Sequence, residues 1–386
     1  MWFKHLVTID LIGLSHSNVV SQIPKQKVIV VVGTRPEAIK MAPVYRAFVE
    51  HPGFTPILVS TGQHTALLRK ALDDFGLKPD HELQVMTPAQ SLAATAARIL
   101  ERFNPIVTEL RPAAVLVQGD TTTAFAAGLA AFYAGIPVAH VEAGLRTYDF
   151  ANPFPEEANR QLLDRICRWC FAPTLDAREH LLAELIALER IHVTGNTGID
   201  ALLWTLQHSN LDSGIEPFVL MTLHRRESFG EPFREILAGV LDFLSAVPDA
   251  QLYWPVHPNP VVMAIADEML ANHERVHRIP PQDYKSFARL LATCRIVLTD
   301  SGGIQEEAPS LGKRVLVARD TTERTEAVRT GQNRLIGRTR KKVAEELVHA
   351  WGEPTYVGPL PAANPYGDGQ ASRRVVQILA NDLFVG

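Results

Sequence analysis

The feature that most constrains this chain is a rhythm. From Lys27 onward, short runs that are apolar at every position alternate with stretches of helical periodicity. A strand apolar on both faces needs cover on both sides, which a parallel sheet between two helix layers provides. In the first half the runs are KVIVVV, PILVS, AAVLVQ, IPVAHVE and IHVTG, with helices expected around 36–50, 65–75, 91–110, 121–134 and 156–169. The second half repeats the scheme with FVLMTL, QLYWPV, RVHRI, RIVLT and RVLVA, and with helices around 231–245, 259–271, 283–293 and 303–311. A polar stretch near 205–216 (TLQHSNLDSGIE) reads as a linker. The expected fold is therefore α/β: two Rossmann-like, doubly wound domains facing each other across a cleft. We expect a flexible extension over 1–26, a first domain over 27–205 and a second over 206–365. Residues 366–386 should form an amphipathic helix that packs near the domain junction.

At 386 residues the chain exceeds one ordinary core, consistent with two domains. Its net charge of −4 comes from acidic and basic residues mixed along the chain, which argues against a nucleic-acid partner. A small anion needs only a local group of cations and helix N-termini. No stretch of about 18 apolar residues marks a membrane span, and Asp10 interrupts the apolar N-terminus, which lacks a small-residue cleavage site. Three cysteines, Cys167, Cys170 and Cys294, are too few for a disulfide scaffold and point to a reducing compartment, the cytoplasm. Cys167 and Cys170 lack a second pair to complete a zinc set, so no metal is expected; they read as small hydrophobes on one face at the end of a helix.

Position on the strands carries the functional signal, because open α/β sheets bind ligands outside the carboxyl ends of their strands. KVIVVV is followed by Gly33-Thr34-Arg35-Pro36, AAVLVQ by Gly119-Asp120, and IPVAHV by Glu142. FVLMTL leads into His224-Arg225-Arg226, and RIVLT into Asp300-Ser301-Gly302-Gly303. The first of these is not GxGxxG, so the dinucleotide fingerprint is missing and no cofactor is expected. Instead Pro36 suits a first helical turn, Arg35 sits beside the positive helix end, and Lys40 lies one turn on. Ser301, Gly302 and Gly303 open a helix after a buried strand, a local pattern that lets a diphosphate approach backbone N–H groups. Glu306 and Glu307 follow; either complements the helix dipole, or one holds sugar or ribose hydroxyls. His224 beside a pyrophosphate can donate to a departing oxygen. Three carboxylates stand apart: Asp120, which equally suits an N-cap; Glu156, after two prolines; and Glu142, which ends an apolar strand and needs partners there.

Taken in order, GTRPEAIKMAPV, STGQH, QGDTTTAFAAGLAAFYAGIPVAHVEAGLRT, FPEEANRQLLDRI, VTGNTGIDAL, HRRES, DSGGIQEEAPSLGKRVLVARDTTER and NPYGDG resemble the non-hydrolysing UDP-N-acetylglucosamine 2-epimerases, from about Lys27 to the C-terminus. The resemblance implies a glycosyltransferase-B arrangement of the two domains and a homodimer. Its substrates would be UDP-N-acetylglucosamine and UDP-N-acetylmannosamine, without a cofactor. It places substrate contacts on Arg35, Lys40, Asp120, Glu142, His224, Gln282, Phe287, Ser301, Gly302, Gly303, Glu307 and Arg324. The catalytic groups it implies are Asp120, Glu142 and Glu156, with His224 nearby. Gln63 and His64 match a second, regulatory substrate site known in relatives, although a simple turn explains them equally well. The chain departs from the family pattern at Thr325, Ser228, Leu188-Glu189-Arg190 and Gly198.

Chemistry narrows the mechanism. The C2 hydrogen of an N-acetylhexosamine is not next to a carbonyl, and oxidation to a ketone would call for NAD. What remains is departure of UDP from C1, loss of the C2 proton to give a glycal, reprotonation on the other face and return of UDP. A glycosyltransferase of the same architecture, a hydrolysing epimerase and a catalytically silent UDP-sugar sensor are the rival readings.

Overall fold

The computed structural model describes residues 25–62, 65–87, 90–210, 217–225, 230–256, 259–270, 273–354 and 364–384. The expected extension up to residue 24, Gln63, His64, Arg226, Ser228 and the last part of the polar linker lie outside the described residues.

Two parallel sheets organise the chain. The first contains β1 (Gln26–Val32), β2 (Phe54–Ser60), β3 (His81–Glu82), β4 (Ala114–Gln118), β5 (Val138–Val141), β6 (Trp169–Ala172) and β7 (Ile191–Val193). The second contains β8 (Phe218–Thr222), β9 (Gln251–Pro255), β10 (Val276–Ile279), β11 (Ile296–Thr299), β12 (Arg314–Val317) and β13 (Asn333–Leu335). Helices α1 (Arg35–Glu50), α2 (Thr65–Asp74), α3 (Leu92–Leu110), α4 (Thr122–Tyr133), α5 (Glu156–Ile166), α6 (Leu175–Ala183) and α7 (Thr197–Gln207) follow the first seven strands. The second half adds α8 (Glu231–Ala246), α9 (Pro260–Leu270), α10 (Tyr284–Thr293), α11 (Gly302–Glu307), α12 (Thr325–Arg329), α13 (Arg340–Gly352) and α14 (Ala371–Phe384). Strand order is β3-β2-β1-β4-β5-β6-β7 in one sheet and β10-β9-β8-β11-β12-β13 in the other. Each thus winds outward from a central strand and then reverses, the doubly wound pattern.

Both faces of each sheet are covered, as the continuous apolar runs require. On β1, Val28, Val30 and Val32 enter one core while Ile29 and Val31 enter the other. On β8, Val219 and Met221 face α8, while Phe218 and Leu220 pack with α10. Helix α7 belongs to both halves: Ala201 is buried in a core of the first sheet and Leu202 in a core of the second. The C-terminal helix α14 returns to α1, burying Val375, Val376 and Leu379. Its Phe384 ring lies 5.0 Å from Phe54, and Asp382 accepts a 2.9 Å hydrogen bond from Trp169 Nε1.

One expectation is corrected. The helix expected over 156–169 stops at Ile166, and Trp169–Ala172 is strand β6. Cys167 therefore closes the helix and Cys170 lies in the strand, so the two do not share a helical face. Both are buried and free, and burial pushes both thiols up. Four apolar residues directly after a helix carry too little periodicity to separate strand from helical turn.

Candidate active site

The reversal of strand order falls between β1 and β4 in one sheet and between β8 and β11 in the other. The loops leaving these strands diverge and open a crevice at each switch point. Helices α1 and α7 hold the crevices together across the sheets. Arg35 donates to the Gln282 carbonyl at 3.2 Å, and Asn196, the N-cap of α7, donates to Glu306 at 2.8 Å.

The first crevice is built around buried carboxylates. At α1, Thr34 caps the helix and the Glu37 carboxylate turns back to accept from the backbone N–H groups of Gly33 and Thr34, at 2.8 and 2.6 Å. Its other oxygen takes the Thr121 hydroxyl, tying this loop to the one after β4. Burial still raises the Glu37 carboxyl above its ordinary range. Gly33 leaves no alternative at its position, because a Cβ would collide with the Thr61 and Thr123 hydroxyls.

Glu142 follows β5 with φ of +69°, a strained conformation for a non-glycine residue. Both its oxygens lie 2.7 Å from the Lys40 ammonium, and the Gln118 amide donates to one of them. Burial pushes this carboxyl up, but Lys40, with Arg324 and His140 beyond it, holds it below the usual range. Asp120 behaves in the opposite way. Burial raises its carboxyl, against the pull of Arg160 at 3.2 Å and with the push of Glu142 and Glu156 nearby. The N-cap of α4 is Thr121, which leaves the Asp120 carboxylate to other work. Glu156 opens α5, close enough for Asp120 to feel its charge.

The second crevice carries cations and helix-end amides. Fully buried Asp300 accepts from the His224 and Arg225 N–H groups and lies 3.0 Å from His224 Nδ1, so the imidazole is aimed from a fixed base. Ser301 precedes α11, and no side chain caps this helix end. The Arg324 guanidinium lies 3.3 Å from where a Gly302 Cβ would sit, beside the N–H groups of that first turn. Glu306 at 2.8 Å and Glu323 at 3.1 Å anchor it. Burial pushes the Glu323 carboxyl up, yet Arg324, Arg225 and Arg319 bring it down to about 2. Glu307 has no such partner among the described residues: desolvation raises it to about 8, against Lys40 and with the help of Glu306.

The two halves meet here: Glu307 Oε1 and the Cε of Lys40, the partner of Glu142, lie 3.6 and 3.7 Å from the space a Gly198 Cβ would fill, and Asn196 reaches Glu306, which holds Arg324. The family model for UDP-N-acetylglucosamine 2-epimerase matches residues 46–380. An Escherichia coli K12 UDP-N-acetylglucosamine 2-epimerase is 47% identical over 371 residues, covering 92% of this chain and 99% of that protein. The chain belongs to the UDP-N-acetylglucosamine 2-epimerase family. The Neisseria meningitidis epimerase, solved bound to UDP-GlcNAc, superimposes with a TM-score of 0.81 at 41% identity, covering 92% of this chain and all (100%) of that one. The Methanocaldococcus jannaschii epimerase, solved with UDP-GlcNAc and UDP, gives 0.76 at 32% identity, covering 92% and 99%.

Within this epimerase fold, Arg35 and Lys40 stand on α1, Asp120 and Glu142 directly after β4 and β5, Glu156 at the start of α5, His224 after β8, Ser301, Gly302, Gly303 and Glu307 in and before α11, and Arg324 before α12. Gln282 contributes its carbonyl to Arg35 while its side chain turns to the Pro280 carbonyl at 2.6 Å. Phe287 is half-buried against the core under α10. Lys40 pairs with the Glu142 carboxylate at 2.7 Å. Of the two glutamates after Gly303, Glu306 pairs with Arg324, while Glu307 makes no ion pair among the described residues. Several contributors escaped the sequence reading. Glu37 was legible as Thr-x-x-Glu before an apolar run, the capping-box pattern. Gln118 and Asn196 carry no such signal, because their partners lie far away along the chain; Asp300 was named at the end of its strand, but not its hold on His224 and Arg225. Among the described residues no group of three or more His, Cys, Asp or Glu could hold a metal ion, and no helix is long and apolar enough to cross a membrane.

Proposed function

We propose that this chain interconverts UDP-N-acetylglucosamine and UDP-N-acetylmannosamine by eliminating and re-adding UDP, without net hydrolysis. What supports this reading is that Asp120, Glu142 and Glu156 lie near one another, while the Lys40 that pairs with Glu142 comes beside Glu307 of the half that carries Arg324, His224 and the α11 N-terminus. The cationic wall receives the diphosphate as the C1–O bond breaks and its electron pair stays with UDP. Such preorganised donors are worth roughly 3 kcal/mol each when aimed at developing charge. Loss of the C2 hydrogen as a proton to a carboxylate then closes the C1=C2 bond of a 2-acetamidoglycal. A second acid returns a proton to the opposite face, and a UDP oxygen re-attacks C1. Two carboxyl groups of unlike proton affinity suit opposite-face transfer, and Glu142, held low by Lys40, differs in this way from Asp120, raised by burial. Arg35, Lys40, Gln282, Phe287, Ser301–Gly303 and Glu307 complete the substrate contacts. The working form is a homodimer in the cytoplasm, a setting that suits three buried, free thiols.

Incubation with UDP-N-acetylglucosamine in deuterated water tests this. The expected outcome is a stable ratio of two UDP-sugars, both deuterated at C2. Free N-acetylmannosamine and UDP would identify a hydrolysing enzyme instead, and absence of C2 exchange would remove the epimerase reading altogether.

A further inference from the structure

Behind the acidic wall lies a second charged cluster that reaches the backbone of the loops carrying Asp120 and Glu142. His140 on β5 is fully buried. Its Nδ1 lies 2.6 Å from Asp164 Oδ1, and its Nε2 lies 2.7 Å from the Gly119 carbonyl oxygen. Asp164, also fully buried and on α5, takes the Arg146 guanidinium at 2.7 Å and the Gly144 N–H at 3.3 Å on its other oxygen. Arg146 is held in turn by Glu184 at 2.6 Å. A carbonyl oxygen only accepts, and a carboxylate already satisfied by Arg146 and Gly144 accepts on both oxygens, so each His140 nitrogen faces an acceptor.

The cluster joins three elements, each of which bears one candidate catalytic carboxylate. Gly119 at φ +70° forms the peptide that begins Asp120. Gly144 lies two residues beyond Glu142 on the loop after β5. Helix α5, which holds Asp164, starts at Glu156 and lends Asn159 to the Asp120 carbonyl at 2.9 Å and Arg160 to its carboxylate at 3.2 Å. A buried ionic group costs free energy unless every member is satisfied, so such a cluster in place of apolar packing fixes a geometry.

We infer that His140 is a positioning residue for the reaction: with both ring nitrogens carrying hydrogen, it bridges Asp164 to the Gly119–Asp120 peptide and sets where Asp120 meets the sugar. This rests on the epimerase reading above. The cluster leaves the diphosphate contacts untouched, so loss of the bridge acts on turnover and spares substrate binding. Displacement of a reacting group by about 1 Å costs around 100-fold in rate.

Two amide variants separate the two bonds. The glutamine amide of His140→Gln reaches the Nε2 position and keeps a donor for Gly119, whereas the shorter amide of His140→Asn replaces only the Nδ1 donor to Asp164. The expected result is a kcat within about tenfold of wild type for H140Q and lower by about 100-fold for H140N, with KM unchanged in both. Equal losses in the two variants, a loss confined to KM, or an H140N kcat near wild type would overturn the role. In the unmodified enzyme, nitrogen-15 labelling of histidine should reveal hydrogen on both His140 ring nitrogens. A bare Nε2 overturns the inference even if a variant fails to fold. Wild-type C2 exchange, run alongside, keeps the readings apart: no exchange there sinks the proposed activity, and normal exchange with indifferent variants sinks only the bridge.

Discussion

The loops after β1, β4 and β5 present carboxylates from a closed, buried frame, whereas those after β8 and β11 present cations and amides on a more open rim. The Glu142 side chain is 7% exposed, while the His224 side chain is 46% exposed. Equal topology has been given unlike chemistry and unlike accessibility. Proton transfer at carbon depends steeply on distance and orientation, which a satisfied buried frame enforces. A departing nucleotide must move, and an open rim of cations can hold it through that movement. The comparison assigns proton transfer to the first sheet and the holding and departure of the nucleotide to the second. Its sharpest test is Glu142→Gln. We expect kcat to fall by about 1,000-fold, within the range for loss of a general acid or base, with UDP affinity changed only a few-fold. Steady-state kinetics and calorimetric UDP titration read the two quantities. A variant that turns over normally but loses UDP would reverse the assignment.

How much of this division was legible in the sequence depends on distance along the chain. Glu142 stood out because a carboxylate ending an apolar strand demands a partner, and the strand-end rule brought Asp120, His224 and Ser301–Gly303 to the same crevice before any coordinates. The partner itself could not be read: Lys40 lies 102 positions away, and its helix periodicity says nothing about which anion it meets. The same holds for the Asn196–Glu306 contact across 110 positions. Short elements failed for a different reason. β6 has four residues and β3 two, too few for periodicity to speak, and their pairing is decided by the neighbouring strands. The His140 cluster was hidden because its residues look like ordinary strand and helix members until the fold brings them together.

The second sheet's role is probed by Arg324→Lys. The lysine keeps a positive charge beside Glu306 and Glu323, so the fold keeps its counter-charge, but the planar fork is lost. We expect UDP to bind about 30-fold more weakly, roughly the 2 kcal/mol of one charge-assisted hydrogen bond, and C2 exchange at saturating substrate to fall as well, because the lost donor also faces the charge that develops on the departing diphosphate. A variant with unchanged UDP affinity and collapsed exchange would instead make Arg324 part of the proton chemistry and blur the boundary between the sheets.

The smallest effect is expected at the seam, where Glu307 faces Lys40 near Gly198. Its Oε1 and the Lys40 Cε come within 3.6 and 3.7 Å of the space a Gly198 Cβ would fill. Desolvation raises the Glu307 carboxyl from 4.5 to about 8. Below 4.5 it is protonated in both folded and unfolded chains, and its contribution to stability is fully present. Between 4.5 and about 8 the unfolded chain releases this proton while the folded one keeps it, so stability drains away as pH rises, and above about 8 the loss is complete. Glu307→Gln removes the proton from both states. Its melting temperature relative to wild type should therefore climb across that window and level off above it, in unliganded protein followed by calorimetry at several pH values. Parallel curves for the two proteins would mean that the carboxylate is ionised at the seam and solvated there. The cleft between the sheets would then be open to water at the point where the frame and the rim meet, and the contrast in accessibility would stop short of Glu307.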